Sequence, residues 1–264
     1  MLGKLIKYEL KESARWTLPV YAALLVMSIV TRLLMMITAE NVWVGLTQGI
    51  AIVLFVLLVV GVPILTVVLI ISRFYKNLLT DQGYLMFTLP VKTWQHIVAK
   101  LVGALVWIVA TMLVVGLALI FIFTEGAFFA SINLSEFGPV YQKIIQEGLG
   151  FAFYGVIFGC ILGVILSVLH CYTAIAIGQL ANQHRVLSAV GAYVGINIVL
   201  EVVVMILVAA PGQYVAQCFD TASMATAVGL GNSIVGCVLV FECVLCAAFF
   251  FIINYIFNRH LNLE

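Results

Sequence analysis

The chain has 264 residues, of which 65% are hydrophobic and 9% charged, with a mean hydropathy of +1.24 and a formal net charge of +1. A soluble domain carries about 25% charged residues, so this composition excludes one, and a charge so near zero leaves no electrostatic footprint for nucleic acid. What remains is an all-α polytopic membrane protein: a span needs roughly 20 apolar residues, and the stretches 17–37, 47–71, 101–123, 149–178, 187–210 and 232–257 all qualify, accounting for nearly the whole of 1–264 as one membrane domain.

Residues 1–16 precede the first span. Leu2, Leu5, Ile6, Leu10 and Ala14 recur at helical spacing among Lys4, Lys7, Glu9, Lys11, Glu12 and Arg15. This is the pattern of an amphipathic helix lying on the membrane surface. No small-residue cleavage site follows the first apolar run, so that run reads as a retained span. Pro19 sits near its start, where it is easily tolerated, whereas Pro63 removes a backbone donor well inside the second span and is expected to bend it. Arg32, near the far end of the first span, is placed to snorkel to the interface or to pair with Glu40.

The segment 73–100 is the one substantial polar stretch between two apolar runs. It reads as a short helix, a break at Pro90 and a second helix start. Leu78, Leu79, Tyr84, Leu85 and Phe87 are too apolar for a free solvated loop and need cover from this chain, lipid or a partner. Asp81 and Gly83 interrupt that run with a charge and a flexible point. The later loop, 124–148, carries Ser135 as a candidate N-cap for a short interfacial helix. A solvated connector is the preferred reading there, because its charges form no cluster.

The fourth span carries Gly155, Gly159 and Gly163 at four-residue spacing, a stripe that lets another helix approach closely. Counted from 149 to 178 it is about 45 Å long, so it must tilt, kink or begin in the interface. Asn197 and Glu201 lie one turn apart on the fifth span, and Glu242 lies in the sixth. Carboxylates at that depth are costly enough to be functional hypotheses. The alternative is a protonated or hydrogen-bonded packing role, and the residues alone leave both open. Pro211 and Gly212 are expected to break the fifth helix, leaving 211–231 as a separate, mildly apolar element.

Basic residues orient such a chain. Lys4, Lys7, Lys11, Arg15, Arg73, Lys76, Lys92, Lys100, Arg185 and Arg259 fall on one side of a six-span arrangement, and Lys143 falls clearly on the other. Both termini are therefore expected in the cytosol, with 73–100 beside them. Five of the six cysteines lie in spans, so no disulfide framework is implied. Cys243 and Cys246 form a CxxC that reads as small core residues, and His170 as a packing histidine without metal partners. No catalytic or metal-binding set stands out, so the chain is not expected to be an enzyme or to bind a metal. There is no P-loop either: the only Gly-Lys pair, Gly3-Lys4, is followed by Leu5 where Ser or Thr is required. Any ATP-driven work must use a separate ATPase.

Two local motifs then carry a resemblance. Asp81-Gln82-Gly83-Tyr84-Leu85, followed by Phe87-Thr88-Leu89-Pro90 and closing on Ala99-Lys100, resembles the segment between the second and third spans of small bacterial ABC transporter permeases. The opening residues Leu2 to Lys11 are similar to the N-terminal surface helix of those proteins. The class is the type-two exporter, with the architecture of the eukaryotic G subfamily. The resemblance implies a connecting helix at 1–16, a cytosolic coupling helix within 73–100 and a re-entrant element at 211–231. It implies that Leu78, Asp81, Gly83, Tyr84, Leu85 and Phe87 dock on a separate nucleotide-binding protein, which would hold ATP and Mg while this chain binds no cofactor. It also implies a second permease copy or a related permease, with the second and fifth spans, and so Pro63, Asn197 and Glu201, beside a path between the two. Amphiphilic cargo (a peptide, lipid or hydrophobic drug) leaving across a bacterial plasma membrane completes that expectation. The competing readings are an ion- or proton-coupled secondary transporter using Glu201 and Glu242, and a membrane scaffold.

Overall fold

A computed structural model describes residues 2–37, 41–79, 93–123, 134–181, 184–221 and 224–259. Among the described residues there are seven α-helices and no strand: α1 (Leu2–Met35), α2 (Val42–Leu79), α3 (Thr93–Phe123), α4 (Leu134–Gln146), α5 (Gly150–Gly178), α6 (Arg185–Thr221) and α7 (Met224–Arg259). Six of them, all but α4, are long and apolar enough to cross a membrane, the arrangement of a multi-pass membrane protein. The chain divides into two compact units, Met1–Ile132 and Asn133–Glu264.

In the first unit α1 packs against both α2 and α3. Its buried face is Ser13, Thr17, Tyr21, Leu24, Ser28 and Thr31, while Val26, Ile29, Val30 and Leu33 face outward. This pattern, with small polar residues inside and branched apolar ones outside, suits helices whose surroundings are as apolar as leucine. The hydroxyls are satisfied within their own helix: Thr17 donates to the Ser13 carbonyl, Ser28 to Leu25 and Thr31 to Met27.

Three helices meet at a hydroxyl junction. Thr111 of α3 donates to its own Trp107 carbonyl at 2.8 Å, and its oxygen lies 2.6 Å from the Tyr21 hydroxyl of α1 and 3.1 Å from the Thr66 hydroxyl of α2. The Tyr21 ring leans on Trp107 with centroids 6.1 Å apart. The end of this unit away from the N-terminus is closed by side-chain donors. The Arg32 guanidinium reaches the Ile122 carbonyl at 3.1 Å, and the Gln48 amide reaches the Leu34 and Ile37 carbonyls at 2.8 and 2.7 Å. Leu34 and Ile122 lie in the last turns of α1 and α3, where carbonyls have no intrahelical partner. Arg32 thus binds the end of α3, and Glu40, the partner expected for it, lies outside the described residues.

Two expectations change here. Residues 2–16 do not form a separate surface helix; they are the first turns of a continuous α1, with Leu10 and Ala14 packed on the core of the unit. Helix α2 runs on through Pro63 as a single helix. In the second unit, α6 runs unbroken through Pro211 and Gly212 to Thr221, and α7 starts at Met224, so 211–221 are the end of one helix and 224–231 the start of the next. A proline deletes a single backbone donor, and the turns on either side carry the helix across it.

The second unit is organised around α5, which packs on both α6 and α7. A side chain on Gly155 would strike Val235 of α7, and a Cβ on Gly159 would sit 3.3 Å from Leu239. At the other end of α5, a Cβ on Gly178 would lie 2.6 Å from backbone atoms of Ala189, so the start of α6 can approach only a glycine. His170 is buried between two rings, stacked on Tyr193 of α6 at 4.6 Å and on Phe249 of α7 at 5.6 Å. Asn232 of α7 reaches across to the beginning of α5, accepting from the Ala152 amide at 3.1 Å and donating to the Gly148 carbonyl at 3.0 Å. That carboxamide does for α5 what a local N-cap does for other helices. The CxxC residues part company: Cys246 turns toward the Leu162 carbonyl of α5, whereas Cys243 is exposed and not core.

Residues 134–146 form the helix α4, not the solvated connector that the scattered charges suggested. Ser135 is its second residue and not its N-cap.

The hydroxyl junction offers a direct test of how α1, α2 and α3 are held. Tyr21→Phe should destabilise the protein by about 0.6 kcal/mol and Thr111→Val, which severs two interhelical contacts, by up to about 1.7 kcal/mol. Reversible unfolding of the purified protein in mixed micelles measures both.

Candidate functional site

The densest collection of charge among the described residues lies at the end of the first unit that carries the N-terminus. Lys100, on the second turn of α3, extends its Nζ to within 2.8 Å of Glu9 Oε2 on α1. The two side chains are only 4% and 12% exposed. Gly103, three residues beyond Lys100, lies under the Glu9 stem, where a Cβ would come within 3.1 Å of Glu9 Cγ. One turn farther along α1, the Glu12 carbonyl accepts from Arg73 Nη2 of α2 at 2.7 Å, and the Glu12 carboxylate lies 4.0 Å from Nη1. Phe74 and His96 are buried in the same region.

Energetics separate the two contacts. Glu12 is largely exposed, so its ion pair with Arg73 contributes little and the backbone bond does most of the holding. The Glu9–Lys100 pair is shielded. A pair of this kind gains little over a well-packed apolar pair, yet losing one partner strands a buried charge. What it supplies is position. Arg73 and Lys100 stand on either side of residues 80–92, which join α2 to α3, and each is bonded to α1. The two helix ends that flank residues 80–92 are therefore both tied to α1.

The residues singled out from the sequence are distributed as follows. Asp81, Gly83, Tyr84, Leu85 and Phe87 lie outside the described residues, and Leu78 is described only as backbone in the last turn of α2. Pro63 is half-buried on α2, beside Val62 and a short step from Thr66 of the hydroxyl junction. Asn197 and Glu201 are both exposed on α6, and the Asn197 amide donates to the Tyr193 carbonyl of its own helix at 3.0 Å. Glu242 is brought together with the glycine stripe: a Cβ on Gly159 would lie 3.6 Å from its Oε2 and one on Gly163 3.8 Å from its Oε1. Its Oε2 is shut off from solvent and has no hydrogen-bond partner. The two carboxylates form no common site, since Glu242 turns to α5 while Glu201 is exposed. Among the described residues no three His, Cys, Asp or Glu side chains converge to hold a metal.

Glu9 and Lys100 escaped the sequence reading. Lys100 looked like one more basic residue marking the side of the membrane, and Glu9 like part of a solvated face. The available signal was Gly103 at the third position after Lys100, a gap at helical spacing on the same face. No protein-family model matches this chain, and searches of curated proteins and of solved structures find no significant match.

Lys100→Met should lower stability by about 3–5 kcal/mol, because it leaves the Glu9 carboxylate buried alone. The double replacement Glu9→Met with Lys100→Met should recover most of that loss. Thermal unfolding of the three proteins in one detergent tests the sign and the recovery.

Proposed function

We propose that this chain is the membrane-spanning subunit of an ATP-driven exporter, with both termini and the α2–α3 junction in the cytosol. The observation that carries this reading is the pair of bonds from α1 to Arg73 and Lys100. They make the junction a mechanical input to the helix bundle, and an input of that kind has a use when an outside machine pushes on it. The chain has no phosphate-binding loop of its own, so the machine is a separate nucleotide-binding protein that supplies ATP and Mg. Leu78, Asp81, Gly83, Tyr84, Leu85 and Phe87 are the docking residues in this reading.

Two copies of the chain, or this chain and a related permease, complete the transporter. ATP binding draws the two junctions together, and the bundles follow as rigid bodies between two states. Pro63, Asn197 and Glu201 stand beside the path. The cargo is amphiphilic, in keeping with a chain that has few fixed charges in its spans. The uncovered face of α6 that carries Asn197 and Glu201 supports the requirement for a second copy, because a carboxylate facing lipid is costly and demands a partner or water.

A second reading rests on Glu242, whose buried and unpartnered oxygen suits a proton-carrying group in a gradient-driven transporter. The affinity-tagged chain, isolated from its native membrane, distinguishes the two readings at once. An ATPase should accompany it, and Tyr84→Asp or Leu85→Asp should release that ATPase or abolish its stimulation while leaving the fold of the permease intact. Isolation without any ATPase, or both variants binding and stimulating normally, would sink the exporter reading.

A further inference from the structure

Helix α4 is built from residues that serve water poorly. On a helical wheel Val140, Tyr141, Ile144 and Ile145 share one arc, and Gln142, Lys143 and Gln146 share the opposite one. Val140, Tyr141 and Ile145 are 58%, 42% and 44% exposed, so the apolar arc is largely bare. The helix is also intrinsically weak. It has 13 residues, close to the lower limit for an isolated helix in water, and carries Gly138 and Pro139 in its interior. Such a helix persists only if something covers its apolar face.

Its attachment identifies the cover. Only residues 147–149 separate α4 from α5, which is long and apolar enough to span a membrane. Gly148, with φ of +78°, turns the chain sharply between the two. The Tyr141 hydroxyl is hydrogen-bonded to the Tyr154 hydroxyl, and its ring meets Phe153 edge-on, 6.3 Å away. A side chain on Gly150 would lie 3.3 Å from Ile145. These contacts fix α4 level with the first turns of α5, where Phe151, Tyr154, Val156, Ile157 and Phe158 are themselves exposed apolar surface. The bare arc of α4 and the lipid-facing surface of α5 thus belong to one membrane boundary. Tyrosines at this level are the usual markers of that boundary.

We infer that α4 is an interfacial helix, held in the headgroup region of the leaflet at which α5 begins, with Val140, Tyr141 and Ile145 toward the acyl chains and Gln142, Lys143 and Gln146 toward water. The occupant of its apolar arc is the bilayer itself. Under the orientation proposed above this is the outer leaflet, but the lipid contact does not depend on that orientation or on the transport reaction. The exposed Lys143, paired loosely with Glu147 at 3.9 Å, lies at headgroup level.

Tryptophan placed on each arc tests the assignment. The full-length chain is reconstituted in vesicles of phosphatidylcholine and phosphatidylglycerol, with or without lipids brominated near the glycerol end of the acyl chains. The signal of the added residue is the difference from the unsubstituted protein. Val140→Trp and Tyr141→Trp should emit at shorter wavelength and lose most of their emission to the brominated lipids, with little loss to aqueous iodide. Gln142→Trp and Lys143→Trp should do the reverse. Tyr141→Trp keeps an aromatic ring against Phe153, so it remains informative if Val140→Trp disturbs the helix. Iodide quenching of both arcs alike would overturn the inference by showing a solvated helix. An apolar arc shielded from both quenchers would also overturn it, because protein and not lipid would then be the cover.

Discussion

In a bilayer no buried backbone carbonyl or side-chain hydroxyl can turn to water for a partner, and the structure follows from that constraint. The hydroxyls of Thr17, Ser28 and Thr31 bond back to their own helix, and those of Tyr21, Thr66 and Thr111 join three helices at one point. The terminal carbonyls of α1 and α3 receive the side chains of Gln48 and Arg32, and the first turn of α5 receives Asn232. Many apolar side chains, such as Val26, Ile29, Val30 and Leu33 of α1, are left on the outside. The same rule makes the Glu9–Lys100 pair possible: each charge helps the other to be tolerated away from water.

The two units solve their packing differently. In the first, hydroxyls and a charged pair join the helices, and close approach is needed at one place, under Glu9 at Gly103. In the second, glycines bring α5 against its neighbours, with Gly155 and Gly159 facing α7 and Gly178 facing the backbone of α6. Small residues let backbones meet closely, and close meeting supplies the dispersion energy that the hydrophobic effect cannot supply inside lipid. The His170 ring, stacked between Tyr193 and Phe249, ties all three long helices of that unit together.

How much of this was legible depended on whether the signal was local. Six apolar helices could be read from run length alone, and the glycine stripe at 155, 159 and 163 from its spacing. Boundaries were less accessible: the sequence places the first span at 17–37, whereas α1 begins at Leu2, because amphipathic turns and apolar turns can share one axis. Pro211 misled for the opposite reason, since a strong local breaker was overruled by the helix around it. In α4 the scattered charges mask the apolar arc at 140, 141, 144 and 145. The candidate site was the least legible feature. Glu9 and Lys100 are 91 positions apart, and no periodicity connects two charges on different helices. A lone glycine near a helix end, such as Gly178, reads as a terminator, and nothing in the chain announces that Ala189 will press against it.

In the proposed exporter, force enters at the α2–α3 junction and passes through Arg73 and Lys100 to α1, with the energy supplied by nucleotide bound to a separate protein. Flux in proteoliposomes that hold this chain with whatever ATPase is isolated alongside it separates the readings, driven in turn by ATP without an ion gradient and by a proton gradient without nucleotide. With a fluorescent amphiphilic peptide or lipid as cargo, an ATP-driven exporter gives flux with ATP alone and none with the gradient alone. Flux driven by the gradient in the absence of nucleotide, and lost in Glu242→Gln, would contradict it.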